Sequence, residues 1–243
     1  MSYLFASDVH LSVTRPIMVE RFLAFLDGPC ADARGVYLLG DIFDAWLGDD
    51  DNRPPHPRVE AGLARLSDRG VPVWLLHGNH DFLIGSALCA RTGCQLLDEE
   101  ALVQLDGEPV LLMHGDTLCT RDLTYQAFRK RVRDPGAQAS FLAQSIESRA
   151  AQAMSMKAQS AAATVIKPEE IMDVSDGAVL EVMRRHQTVT LVHGHTHRPA
   201  VHDLELDGRR ARRIVLGDWY QDERVLLWRD GDIHLGNVAS LPA

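Results

Sequence analysis

Nowhere does the chain approach the roughly 20 consecutive apolar residues that a membrane-spanning helix needs, and no basic segment leading into a long apolar run opens it. The expectation is a cytoplasmic protein, or one peripheral to a membrane. Cysteine is scarce: Cys30, Cys89, Cys94 and Cys119 form no Cys-x-x-Cys pair, which favours buried reduced thiols over a zinc site or disulfides. Positive charge is also short. A formal net charge of -9 argues against a general nucleic-acid binder, whose affinity comes largely from neutralising phosphates. An acidic protein still binds phosphate where metal ions carry the local positive charge. Internal repeats and low-complexity linkers are absent. What remains is ordinary globular material, 46% hydrophobic and 24% charged, and 243 residues suffice for one full α/β core.

The informative stretch is Val36-Tyr37-Leu38-Leu39-Gly40-Asp41. An apolar, β-prone run reaches a glycine and then a carboxylate. Buried parallel strands read this way, and ligands gather beyond the carboxyl ends of such strands. Alone, Gly-Asp is more often a turn or cap, but the pattern recurs. Tyr3 to Ser7 runs into Asp8-Val9-His10, and Val71 to Leu76 into His77-Gly78-Asn79-His80-Asp81. Pro109 to Met113 runs into His114-Gly115-Asp116, and Thr188 to Val192 into His193-Gly194-His195-Thr196-His197. The groups Asp8/His10, Asp41, Asn79/His80, His114 and His195/His197 thus all follow apolar strands, which favours one shared site over five coincidences.

The remaining elements are helices at Pro16 to Leu26 (stripe Ile17, Phe22, Phe25, Leu26), Arg58 to Arg69 and Phe82 to Ala90. Asp106-Gly107 marks a hairpin between Ala101 to Leu105 and Pro109 to Met113. Strand-like runs close the chain at Ala200 to Leu206, Ile214 to Leu216, Val225 to Trp228 and Ile233 to Leu235, with Asp207-Gly208 as a turn. Asp49-Asp50-Asp51 reads as a solvated face, and Trp46 as core packing ahead of a substrate wall. Residues 121–186 differ, being rich in Ala, Gln, Met and Arg, with Tyr125, Phe128 and Val132 on one helical face and a helix-forming stretch from Phe141 to Ala163. About 65 residues is long for one crossover, which favours an inserted cap over two ordinary crossover helices.

Carboxylates, imidazoles and one amide oxygen, without thiolates, suit Mn²⁺, Fe or Zn²⁺. The donors are too many for one tetrahedral ion. Two ions sharing Asp41 would ionise a water and clamp the oxygens of a phosphorus centre during in-line displacement. Asn79 offers a neutral oxygen ligand and His80 an acid/base imidazole.

These blocks resemble the signature of the calcineurin-like metallophosphoesterases. The resemblance implies an α/β (α+β) fold, a β-sandwich of two mixed sheets flanked by helices. It assigns one ion to Asp8, His10, Asp41 and His197, and the other to Asp41, Asn79, His114 and His195. Gly40 to Gly48, His114 to Thr120, Tyr125 to Arg129, Ile171 to Val174 and His195 to His202 further resemble the UDP-2,3-diacylglucosamine pyrophosphohydrolase family of lipid A synthesis. That similarity spans nearly the whole chain. It implies a core of 1–120 and 187–243, a helical cap of 121–186 that recognises acyl chains, and hydrolysis of a glycolipid nucleotide to UMP and lipid X. Attack by ionised water falls on the phosphorus next to uridine, with Mn²⁺ as the usual ion. Asp41, Asn79, His80 and His195 then carry catalysis, and substrate contacts map onto Asn79, His80, Asp122, Ser160, Thr164, Lys167 and His195. Position 80 is usually arginine in that family and position 164 asparagine. His80 instead matches the broader superfamily, where this histidine protonates a leaving oxygen. The resemblance also implies peripheral contact with the cytoplasmic face of the inner membrane, with neither nucleic acid nor an obligate protein partner.

Trp46, Tyr125, Phe128, Phe141 and Met156 would line an acyl slot or pack the cap onto the core. Arg129, Lys130, Arg131 and Arg133 would face anionic headgroups or, by preference, form a solvated helix face. Two rival readings remain. One is a general phosphodiesterase or nucleotide pyrophosphatase of the same fold, which His80 supports. The other is a non-catalytic scaffold, which full retention of the ligand set opposes.

Overall fold

The structure is a computed structural model that describes residues 1–165, 169–220 and 222–242, with side chains described outside 159–170. The first half of the chain alternates strand and helix. Its elements are β1 (Tyr3–Ala6), α1 (Pro16–Asp27), β2 (Gly35–Leu38), α2 (His56–Asp68), β3 (Val73–Leu75), α3 (Ser86–Thr92) and β4 (Gln95–Leu96). A hairpin follows, β5 (Ala101–Leu105) and β6 (Glu108–Leu112). Next come five helices: α4 (Leu123–Val132), α5 (Pro135–Leu142), α6 (Ile146–Val165), α7 (Glu169–Met172) and α8 (Asp176–Arg185). Strands complete the chain: β7 (Thr190–His193), β8 (Ala200–Leu206), β9 (Arg209–Val215), β10 (Arg224–Arg229) and β11 (Asp232–Asn237).

The strands form a six-stranded sheet, β11-β10-β1-β2-β3-β4, and a five-stranded sheet, β5-β6-β7-β9-β8. Both are mixed. β1, β2, β3 and β4 pair in parallel while β10 runs antiparallel to β1; β6, β7 and β9 are parallel with antiparallel β5 and β8 at the edges. Strand alternation sorts the apolar residues into three layers. Tyr3 and Phe5 of β1 join Tyr37, Leu112, Val192 and Trp228 between the sheets. Leu4 and Ala6 point the other way, into a layer with α1 and α2 through Phe22, Phe25, Leu63 and Leu66. Leu111 and Leu191 face outward from the second sheet onto Val179, Val182 and Met183 of α8. Asp106-Gly107, Asp207-Gly208 and Asp230-Gly231 each place both residues at positive φ, the geometry of tight hairpin turns.

Several expectations need correction. Ile17 is 61% exposed, and Met18 and Val19 take its place on the buried face of α1. The helix expected from Phe82 starts only at Ser86, because Asp49 accepts hydrogen bonds from the Gly85 and Leu88 amides and fixes the first turn there. The Asp49–Asp51 run is therefore no solvated face. Asp51 is buried and pairs with Arg53, and Asp50 pairs with Arg149. The stretch from Phe141 to Ala163 is broken between Leu142 and Ile146. β9 begins at Arg209, ahead of the expected Ile214, because β8 supplies partners along the whole run. Trp46 is core, packed on Phe43 and His56 with its indole N–H donating to Asp49. The four cysteines are free thiols, three of them buried.

Candidate metal centre

Each expected group sits just past a strand: Asp8 and His10 after β1, Asp41 after β2, Asn79 and His80 after β3, His114 after β6, and His195 and His197 after β7. Parallel β1, β2 and β3 bring three of these ends together on one sheet, and parallel β6 and β7 bring the other two on the second. The site lies where the carboxyl ends of the two sheets meet.

Asp8, His10, Asp41, His195 and His197 all hold left-handed backbone, with φ of 54°, 50°, 54°, 67° and 55°. That conformation is uncommon for residues other than glycine, and strain of this kind concentrates at functional sites. Glycines admit the crowding: a Cβ at Gly78 would lie 2.0 Å from Asp41 Oδ1, and one at Gly194 would lie 2.3 Å from Asp8 Oδ2.

The donor atoms form two overlapping sets. Asp8 Oδ1 lies 3.3 Å from His197 Nε2, which is 3.5 Å from His10 Nε2. Asp41 Oδ2 is ringed by Nε2 of His10, His80 and His114 at 3.9, 4.0 and 3.7 Å. These separations exceed hydrogen-bond range. Asn79 Oδ1 lies 3.0 Å from His114 Nε2 and 2.8 Å from His195 Nδ1. His114 Nδ1 donates to the Leu39 carbonyl at 2.9 Å, which leaves its Nε2 lone pair turned inward. Asp8 Oδ1 and His10 Nδ1 are buried without a hydrogen-bond partner. Asp8, His10 and His197, then His10, Asp41 and His80, then Asp8, Asp41 and His114, each bring their ligand atoms within 4.8 Å of one another. An all-oxygen-and-nitrogen donor set with unsatisfied buried atoms fits divalent ions.

The chain's own field agrees. Burial pushes the Asp41 carboxyl up to about 6 against the pull of His114. Burial acts upward on Asp8 too, but the His197 pair and neighbouring imidazoles outweigh it and hold the carboxyl below its usual range. Burial lowers His10 to about 2 and His195 to about 4. Burial would also lower His197, yet Asp218 and Asp8 carry it up to about 10. Paired carboxylates thus draw positive charge to this point.

Two organising residues have no expected role. Asp81, fully buried, accepts from the amides of Asp41 and Gly78 through Oδ1, and of Ile42 and Phe43 through Oδ2. It ties the two turns that carry Asp41 and Asn79. Its place in the Gly78 to Asp81 block was the available signal. Asp218 lies 3.0 Å from His197 Nδ1 and orients that ring, and no local pattern marks it. Asp116 receives the Tyr125 hydroxyl at 2.6 Å and Arg129 Nε at 2.7 Å, fastening α4 beside the centre, with the Tyr125 ring 5.9 Å from His195.

His80 is aimed by its Nδ1 donating to the Asp44 carbonyl at 2.9 Å, which leaves Nε2 facing Asp41. Asp122 is buried as the N-cap of α4, accepting from the Tyr125 amide at 3.0 Å. Ser160, Thr164 and Lys167 lie outside the described side chains. Of the basic quartet, Arg129 turns inward to Asp116 and Glu99, and Arg133 donates to the Gly78 carbonyl at 2.9 Å. Lys130 and Arg131 alone form an exposed face.

A strand-end cluster of this composition between two mixed sheets is that of a metal-dependent phosphoesterase. Residues 1–199 match the calcineurin-like phosphoesterase family, and the chain belongs to it. It is 46% identical over 237 residues to UDP-2,3-diacylglucosamine hydrolase of Aeromonas hydrophila, covering 97% of this chain and 98% of the relative. The Klebsiella pneumoniae protein of that name is 44% identical over 235 residues, 97% of this chain and 98% of its own. The Marinobacter nauticus protein is 46% identical over 225 residues, 93% of this chain and 91% of its own. Within the phosphoesterases the chain therefore falls in the UDP-2,3-diacylglucosamine hydrolase family.

Proposed function

We propose that the chain hydrolyses the pyrophosphate of UDP-2,3-diacylglucosamine to UMP and 2,3-diacylglucosamine 1-phosphate. The carrying observation is that identity to the hydrolases extends over 97% of the chain, so it includes the helical segment 121–186 as well as the metal centre. Asp8, His10, Asp41 and His197 would hold one divalent ion, and Asp41, Asn79, His114 and His195 the other. Such ions ionise a water near neutral pH and neutralise charge on the phosphorus oxygens, with Mn²⁺ suited to these donors. The protein supplies the rest. Asp81 and Asp218 keep the ligands oriented. His80, with its Nδ1 proton committed to Asp44, offers Nε2 to carry a proton toward the leaving oxygen as the bond from the uridine-side phosphorus to the bridging oxygen breaks. Asp122, Ser160, Thr164 and Lys167 would add contacts to the substrate.

Residues 121–186 act in this reading as a cap over the centre, on a core of 1–120 and 187–243. Tyr125, Phe128, Phe141 and Met156 are half-buried on it, available to apolar chains. Trp46, at 2% exposure, leaves that set. Exposed Leu123, Leu142 and Met154, with exposed Lys130 and Arg131 in the same helical segment, support peripheral contact with an anionic membrane surface. No helix among the described residues is long and apolar enough to cross a membrane.

A product assay by mass spectrometry tests the reading, offering the Mn²⁺-loaded protein UDP-2,3-diacylglucosamine, UDP-N-acetylglucosamine and bis-p-nitrophenyl phosphate. UMP and lipid X from the acylated substrate alone are expected. Comparable cleavage of all three would favour a general phosphodiesterase, the reading that histidine at position 80 supports. His80→Ala is expected to slow turnover by about 10²-fold with metal content intact. An unchanged rate removes His80 from the mechanism.

A further inference from the structure

Behind the loop that carries His195 and His197 lies a cavity of 230 Å³ that contains none of the expected metal ligands. Its polar walls are Asp173, Thr196, Arg198, His202 and Arg213, and the Asp173 carboxylate is engaged by Arg198 at 2.9 Å. Arg213 lies on β9, directly opposite His202 of β8 in the antiparallel register, which sets the two side chains on one face of the sheet.

Arg213 is the anomaly. It is 8% exposed, yet among the described residues no carboxylate lies within ion-pair distance of it. Its hydrogen-bond partner is the Nε2 of His193 at 3.3 Å, an imidazole nitrogen and not a carboxylate. A buried guanidinium is costly unless paired. The nearest negative charges, Asp173 and Asp176, act on it only at longer range, and Asp173 is already bonded to Arg198 at 2.9 Å. Burial and the Arg213 charge together keep the His202 imidazole below its ordinary value. Across the cavity, Thr196 Oγ1 is buried with no hydrogen-bond partner. Among the described residues, a hydroxyl donor without an acceptor and a guanidinium without a paired carboxylate therefore border the same space.

We propose that this cavity is a second anion site, taking a small oxyanion such as a phosphate or carboxylate group on the Arg213 fork, with Thr196 Oγ1 as a second donor. A planar guanidinium recognises two oxygens of such a group at once. The volume accommodates a small phosphorylated or carboxylated molecule rather than a macromolecule. Because Thr196 separates His195 from His197, an anion held here braces the metal loop from behind. The site is distinct from the phosphorus at the metal centre and does not depend on which phosphoester reacts there.

The test is thermal unfolding of the metal-loaded protein in sulfate, against sodium chloride at equal ionic strength. An anion bound only by the folded state raises the midpoint, by about 2–4 °C at some tenfold its dissociation constant for a chain of this size. That shift is expected in wild type, is expected to persist with saturating UMP at the metal centre, and is expected to vanish in Arg213→Met. Ala200→Leu, which fills the cavity from β8 and leaves both arginines in the chain, is expected to remove it as well. In sulfate-free buffer Arg213→Met is expected to melt at or above wild type, since an uncompensated buried charge has gone. A sulfate shift no larger than that of chloride would overturn the site. So would an equal shift in wild type and both variants, or one abolished by UMP, which would assign the anion to the metal centre.

Discussion

The sandwich and the helices between β6 and α8 are held by different forces. Phe5, Leu39, Val192, Ile214 and Trp228 are wholly buried, and the sheets close over them as a continuous apolar interior. α4 and α5 bury no residue fully. α4 and α6 are attached by charge: Arg129 on Asp116, Arg133 at the end of α4 on the Gly78 carbonyl, Arg149 on Asp50 and the Leu47 carbonyl, and Lys157 on Asp44. Each anchor lands on a loop that also carries a site residue or its neighbour. α8 belongs with the core, since Val179, Val182 and Met183 pack on the second sheet. The apolar interior thus carries the donors, while α4 and α6 are tied by charge to the loops around them. Apolar burial gives the larger and less reversible stabilisation, whereas part-exposed ion pairs yield to salt and to competing ligands.

This contrast breaks most sharply at Asp41. Asp41→Asn removes the oxygen ringed by three imidazoles and should cut activity at least about a thousandfold. It should also abolish the stabilisation by added metal, while the metal-free variant melts no lower than metal-free wild type because a buried carboxyl has gone; calorimetry with and without Mn²⁺ reads both. In the sandwich, Phe5→Ala deletes a ring stacked on Tyr37 at 4.9 Å and should cost about 3–5 kcal/mol, a fall of roughly 10 °C in melting temperature. A smaller cost would mean that the layers collapse into the gap.

Acid should act through the core as well. Burial holds His193 down at about 3 and lowers His56, so both are neutral in the folded chain but titrate near 6.5 when unfolded. The unfolded state then binds more protons, and stability present above pH 6.5 is lost as pH falls below it. For His193 the cost is about 1.4 kcal/mol per pH unit, or about 2 kcal/mol by pH 5, and His56 adds to it in the same direction. Denaturant melts of the metal-free protein at pH 7 and pH 5 measure it. The smallest effect belongs to the charged anchors. Lys157→Met, which removes a part-exposed pair with Asp44, should raise KM for the acylated substrate about threefold to tenfold with the melting temperature nearly unchanged. Added salt should weaken wild type in the same direction. A large fall in melting temperature would show that the helices share the core's cooperativity.

What could be read ahead of the fold follows the same division. The strand ends were legible because a buried parallel strand must be apolar throughout, so the first Asp, His or Asn after it is conspicuous. Asp8, His10, Asp41, Asn79, His114, His195 and His197 all surfaced this way, and they converge. The Asp49–Asp51 run was misread because three adjacent acids look solvated, whereas each finds a different partner: Trp46, Arg149 and Arg53. Arg129 and Arg133 were misread for the same reason, since an arginine that pairs inward has the same local sequence as one that faces water. Asp81 and Asp218 organise the site through contacts with turns and rings remote in sequence.

The amino-acid order alone determined the strands, the tight Asp-Gly turns, the donor types and the family, because periodicity, turn chemistry and ligand softness are local properties of residues. Only the tertiary structure decided which charges are paired, which carboxylates steer the imidazoles, and that Arg213 lies buried beside a cavity with no carboxylate paired to it among the described residues. Those are properties of distance between segments, and the energy of a charge depends on what surrounds it rather than on what precedes it in the chain.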